Sequence, residues 1–276
     1  MTGLIDTHLH LIYLDIAGYS WTDGIPPLAN QAFTLPDYLG LIDGLNVDGA
    51  LFMEAGVDDA DYQAETRFIA GLDGLVGLIA SCRPEVDTGF EAWLDECTSL
   101  NVKGYRRILH VMPDDLSQST TFRSNIRKIG ARNLSFDVCV LAGQLPIALE
   151  LAMACDATQL VLNHCGVPDI AGAGLDPWRA DISALAALPH VACKVSGLLA
   201  YCPPNSANLA TIRPYIEHVI AEFGPDRLVW GSDWPVVNLA NGLTDWISVT
   251  REIMAELSAD EAAALAGGTA QRLYRL

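Results

Sequence analysis

The chain has 276 residues, 51% of them hydrophobic, and a formal net charge of −18. An acidic surface of this kind argues against nucleic acid and anionic membrane as partners, and no apolar run reaches the roughly 18 residues needed to span a bilayer. The seven cysteines form no C-x-x-C pair and several fall in apolar runs, as expected for free thiols in a reducing cytoplasm and not for a zinc–thiolate site.

The N-terminus lacks the basic region, apolar stretch and small-residue cleavage site of an export signal. Instead it begins with an apolar run, "GLIDTH" from Gly3, which leads into His8-Leu9-His10. Side chains alternate along a strand, so His8 and His10 face one way, about 7 Å apart, and Leu9 the other. Two such imidazoles can converge on a metal ion or a substrate. Satisfied polar residues near a surface are the alternative, but two basic rings are costly to bury without a task.

A helix start is expected at Thr34-Leu35-Pro36. The second run, "GALFMEA" from Gly49, carries Glu54, and the helical pattern "DYQAETRFIAGL" follows it. The third, "LVGLIAS" from Leu75, precedes the helical "FEAWLDECTSL". The fourth, "VKGYRRI" from Val102, ends in Arg106 and Arg107, with His110 and the helical "SNIRKIGARN" beyond. Alternation turns Arg106 to the site and Arg107 to the helices, so Arg106 is expected to serve substrate more than folding. The fifth run, "LSFDVCV" from Leu134, has no histidine, and "LPIALELAMAC" follows it.

The sixth run, "QLVLNHC" from Gln159, carries His164 and opens onto a loop, "GVPDIAGAGLDPWRAD", before the helical "ISALAALP". The seventh, "VACKVSG" from Val191, carries Lys194 and Ser196. The loop "AYCPPNSAN" and the helix "IRPYIEHVIAEFG", closed by Gly224, come next. The eighth, "RLVWGSD" from Arg227, ends at Asp233 within "WGSDWP".

Eight buried-type strands alternating with helices over about 250 residues predict one (β/α)8 TIM barrel spanning residues 1–276. A doubly wound open sheet is the alternative, but no G-x-G-x-x-G follows any strand. In a barrel the strand ends meet at one face. His8, His10, His164 and Asp233 then supply three nitrogens and a carboxylate, a set suited to zinc or manganese with a position left for water. The same groups can work without a metal, the imidazoles and Arg106 polarising a carbonyl while Asp233 acts as general base. Strand five lacks a histidine and Lys103 stands at the start of strand four, so at most one ion is expected. Glu54, His110, Lys194 and Trp234 are candidate substrate contacts, Glu54 alternatively pairing with an arginine. His190 and His218 are expected to be structural or at the surface.

"IDTHLHL", "KGYRRI", "VLNHCGVPDI", "CKVSGL", "FGPDRLVWGSDWPV" and "GGTAQRLYRL" together resemble the amidohydrolase superfamily, in its branch of sugar-acid and pyrone-dicarboxylate lactonases. The resemblance covers nearly the whole chain. It implies a (β/α)8 barrel and hydrolysis of a small lactone, and by motif it matches His8, His10, His164, Asp233 and Arg106 to the family's site. A non-oxidative, metal-dependent decarboxylase and a silent sugar-acid-binding barrel are the rival readings. One segment departs from the pattern: the family commonly reads Asp-His-x-Gly-Lys-Pro where this chain has Asn163-His164-Cys165-Gly166-Val167-Pro168. Val167 thereby removes a cation near the mouth.

Overall fold

Eight strands form one parallel sheet in the order β1 to β8, in a computed structural model that describes residues 2–276. The strands are β1 Leu4–Leu9, β2 Val47–Met53, β3 Gly77–Ser81, β4 Val102–Ile108, β5 Ser135–Cys139, β6 Leu160–Leu162, β7 Val191–Val195 and β8 Leu228–Trp230. Between them run α1 Leu35–Ile42, α2 Tyr62–Ala70, α3 Phe90–Cys97, α4 Thr120–Ala131, α5 Leu145–Ala154, α6 Trp178–Ala186 and α7 Leu209–Phe223; α8 Leu243–Ala255 follows β8. This is the (β/α)8 barrel expected from the spacing of the apolar runs. No helix among the described residues is long and apolar enough to cross a membrane.

The strands are apolar throughout because both faces are covered. Leu4, Phe52, Ala80, Tyr105, Phe136 and Trp230 belong to the cluster shared with the helices. Ile5, Leu51, Met53, Ile79, Val161, Ala192 and Val229 fill the barrel, joined by Ala270 and Tyr274 of the short helix Thr269–Tyr274. Three boundaries differ from expectation. β6 and β8 have three residues each, so His164 and Asp233 lie in the turns beyond them. The helix α6 also begins inside the predicted loop, at Trp178.

The barrel closes between β1 and the segment after β8. The His8 carbonyl accepts from the Asp233 N–H at 2.8 Å, and the Trp234 carbonyl accepts from the His10 N–H at 2.8 Å. Asp6, fully buried, fixes this seam. Its carboxylate accepts from the N–H groups of His8 at 3.0 Å and Ser232 at 2.8 Å, and from the Tyr38 hydroxyl at 2.7 Å. Asp6 is paired with Ala50 and Leu9 with Phe52, so β1 carries one more residue than β2 in that interval. The bulge brings His8 into the barrel three residues after Ile5. The backbones approach closely here: a Cβ on Gly231 would stand 2.5 Å from the His8 Cβ.

Below the mouth, the barrel encloses an ion pair. Lys194 and Asp137 are both 0% exposed, with Nζ and Oδ1 2.9 Å apart. The same Nζ donates to the Thr7 carbonyl at 2.7 Å, and Asn163 Nδ2 donates to Asp137 Oδ1 at 2.7 Å. Burial lowers the ammonium from the usual lysine range, and Asp137 opposes that shift. Removing one partner of such a pair strands the other in low dielectric. Lys194→Met should therefore cost about 3–5 kcal/mol of unfolding free energy, measured by urea denaturation. Adding Asp137→Leu should restore most of the loss; a double variant as unstable as the single would refute the ion-pair origin.

Candidate active site

A cavity of about 300 Å³ opens at the strand C-termini, the face on which such barrels build their sites. His10, Arg106, His110, Cys139, His164, Tyr201 and Asp233 line it, together with Trp21, Ala55, Gly56, Ile108, Val111, Leu141, Val167 and Val236. A larger cavity, of about 450 Å³, lies at the opposite end beside Ser135 and Ala192 and contains His190, whose Nε2 is 3.0 Å from the Ala152 carbonyl. None of the residues proposed for chemistry lines it. His218, on α7, is 2.9 Å from the Arg179 carbonyl.

The seam places His8, His10 and Asp233 together. One ligand atom from each lies within 4.8 Å of the others, and all three residues are buried. Asp233 Oδ1 is 3.4 Å from His10 Nε2 and 3.7 Å from His8 Nε2. His10 Nδ1 is 3.0 Å from the Met53 carbonyl, which can only accept, so the proton of neutral His10 sits on Nδ1 and a lone pair on Nε2. His8 Nε2 is 3.3 Å from Arg106 Nη1, a group that can only donate, so it too presents a lone pair. Burial, with His164, Lys194, His10 and Arg106 adding to it, holds His8 well below the usual histidine range and therefore neutral. Two lone pairs and a carboxylate thus face one another. Acceptors gathered in this way suit one divalent cation, with Arg106 competing for His8, or a water that supplies protons.

His164 stands outside that group of three. Its Nδ1 is 2.9 Å from the Ser196 hydroxyl and 3.8 Å from Asp233 Oδ2, and its ring centroid is 4.4 Å from that of His8. Backbone φ is positive at four successive residues, His164 (52°), Cys165 (53°), Gly166 (71°) and Val167 (46°), and again at Asp233 (59°). Such backbone costs non-glycine residues about 1–3 kcal/mol each. The Trp178 indole holds the turn from α6, donating to the Cys165 carbonyl at 2.8 Å. Gly197 is required by proximity: a Cβ there would be 2.4 Å from Asp233 Oδ2.

Arg106 faces the cavity and Arg107 the loops outside, as alternation predicts. Besides facing the cavity, Arg106 has structural partners that the sequence reading did not assign to it. It is 2% exposed; Nε donates to Glu54 Oε1 at 2.6 Å, Nη2 to the Glu54 carbonyl and Nη1 to Asn163 Oδ1 at 3.4 Å. Glu54 is likewise buried and does not line the cavity. Burial raises its pKa, but Arg106 outweighs that and leaves the carboxyl below its ordinary value. Lys194 and Trp234 also lie away from the cavity wall, Lys194 on Asp137 and Trp234 packed against Phe33 and Tyr38. His110 lies on the wall, with Nδ1 3.4 Å from Cys139 Sγ. Burial pushes the Cys139 thiol up to about 11, so it stays protonated. Sequence reasoning missed Cys139, Tyr201 and Gly197, although the inward parity of β5 could have found Cys139; it placed Ser196 at the end of the seventh run without giving it a role.

Two outcomes follow from this geometry. Arg106→Met should cost about 3–5 kcal/mol in urea denaturation, because it strands Glu54, whereas Arg107→Met, whose partners Asp59 and Glu85 both keep more contact with solvent than Glu54 does, should cost less. Burial lowers His164 to about 4, Asp233 opposing and Arg106 reinforcing the shift, against about 6.5 in an unfolded chain. The unfolded chain binds the extra proton between those values, so stability should fall as pH drops from about 6.5 to 4 and the His164 contribution should level off below. His164→Gln should make the pH dependence of unfolding shallower in that window; an unchanged slope would contradict the assignment.

The sequence matches the amidohydrolase family over residues 5–276. It is 32% identical to an L-fucono-1,5-lactonase of Burkholderia multivorans, over 99% of this chain and 96% of that protein. It is 25% identical to a 2-pyrone-4,6-dicarboxylate hydrolase of Comamonas testosteroni, over 78% of this chain and 70% of that one. A crystal structure of an amidohydrolase from Burkholderia multivorans with bound zinc superposes with a TM-score of 0.91 at 28% identity, covering 100% of both chains. Conserved architecture from β1 to the C-terminus and a His-His-Asp group at the barrel seam lead to one conclusion: this chain belongs to the amidohydrolase family.

Proposed function

We propose that the protein opens a sugar-acid lactone to its hydroxy acid, with Asp233 as general base. The observation that carries this reading is the Asp233 carboxylate on the cavity wall beside His8 and His10, where a carboxylate can accept a proton from water. The lactonases among the relatives support the reaction class.

Asp233 takes a proton as water adds to the lactone carbonyl carbon, forming the C–O bond of a tetrahedral intermediate. Asp233 then returns that proton to the ring oxygen as its bond to the former carbonyl carbon breaks. Arg106 and neutral His164 stabilise the oxyanion, and Ser196 holds His164 in place. Arg106 has one Nη2 N–H beyond those in the bonds above to offer a substrate oxygen. His8, His10 and Asp233 would hold one divalent ion, zinc by analogy with the related structure. Such an ion would supply Lewis-acid polarisation of the carbonyl.

Asp233→Asn keeps the shape and loses the base. Turnover of an aldono-1,5-lactone, followed by proton release with a pH indicator, should drop by roughly two to four orders of magnitude in a variant shown by circular dichroism to be folded. Retention of a tenth or more of wild-type turnover would exclude this role. Protein reloaded with zinc should hold no more than one equivalent, and a reproducible value near two, abolished by His8→Ala, would overturn the single-ion reading.

A further inference from the structure

The cavity of about 450 Å³ at the other end of the barrel opens where β5 to β8 begin, and Arg227, Arg272 and Arg275 line it. Among the described residues none of the three forms an ion pair. Partners are not scarce: the chain has 34 acidic residues against 16 Lys and Arg, and Asp156 and Asp226 line the same cavity. Arg227 is anchored on carbonyls alone. Nη1 donates to those of Ala186 at 2.7 Å, Leu188 at 3.2 Å and Val191 at 3.3 Å, Nε to Phe223 at 3.1 Å and Nη2 to Glu222 at 3.3 Å. Carbonyls orient a guanidinium without neutralising it. Arg272 and Arg275 stand three residues apart at the end of the helix Thr269–Tyr274, about one turn. Arg272 Nη2 donates to the Asp226 carbonyl, which leaves Nε and Nη1 free, and the Arg275 side chain makes no bond among the described residues. Lys103 adds a cation nearby: its Nζ donates to the Arg275 carbonyl at 3.3 Å, and it too has no carboxylate partner among the described residues.

We propose that this cavity is a second binding site, for a small oxyanion with two negative charges: the phosphate group of a monoester, or a dicarboxylate. Cations gathered without counter-charge repel one another, and a dianion relieves that repulsion. Guanidinium groups meet either oxyanion with paired, charge-assisted hydrogen bonds. The site is independent of the lactonase reading, because none of its residues lines the cavity at the strand C-termini. Its lining includes Ser135 and Ala192, each two residues before a member of the buried Asp137–Lys194 pair, so the anion would lie at the base of the barrel interior.

Isothermal titration calorimetry with inorganic phosphate, and separately with succinate, tests the site at an ionic strength held constant with sodium chloride. At least one anion should bind in the millimolar range or tighter, and added salt should weaken it. Binding of phosphate alone assigns a phosphate monoester, and binding of succinate alone a dicarboxylate. Arg275→Gln removes a guanidinium that has no bond to lose and should weaken binding about tenfold or more. Asp156→Asn removes a negative charge from the wall and should tighten binding, a gain that a damaged fold would not produce. Binding of neither anion would overturn the proposal. So would an affinity unchanged by Arg275→Gln, the result if the anion occupied the cavity beside Arg106. Neither outcome depends on lactone turnover, so failure here leaves the lactonase reading untouched.

Discussion

Everything at the mouth of this barrel depends on the seam between β1 and the residues after β8. Two backbone hydrogen bonds interleave there, Asp233 N–H to the His8 carbonyl and His10 N–H to the Trp234 carbonyl. The bonds that close the sheet therefore also set the spacing of His8, His10 and Asp233. Asp6 secures the arrangement from behind by accepting from both strands and from Tyr38 on α1. Burial raises the Asp6 pKa, against the hydrogen bonds from Ser232, Tyr38 and His8 that lower it. The spacing of His8, His10 and Asp233 is therefore set by closure bonds of the sheet.

A second layer supports the first. Glu54, Arg106, Asn163, Asp137 and Lys194 form a continuous buried chain of hydrogen bonds and ion pairs. Buried charges are tolerated only when partnered in this way, and the partners fix Arg106 beside His8 without relying on substrate. Asn163 is the neutral link. A carboxylate there, as in the common family pattern, would face Asp137 and alter the charge balance under the cavity.

The left-handed backbone at His164 through Val167 and at Asp233 concentrates strain where the reactive side chains emerge. Strain of that size persists when neighbours over-determine the conformation. Trp178, Ser196 and Gly197 do so here, from α6 and the end of β7.

Much of this was written in the one-dimensional pattern. Eight apolar runs with Gly, Asp or Asn at their edges specified the number and order of strands, because a strand covered on both faces must be apolar at nearly every position. Alternation placed Arg106 inward and Arg107 outward, and His8 and His10 on one face. Tertiary structure alone decided what those side chains do. Glu54 and Lys194 had the composition of substrate contacts, but partners 52 residues away for Glu54 and 57 for Lys194 (Arg106 and Asp137) consume them. The fate of a buried charge depends on which opposite charge lies within a few ångströms, and that distance is set by barrel closure, which no local spacing encodes.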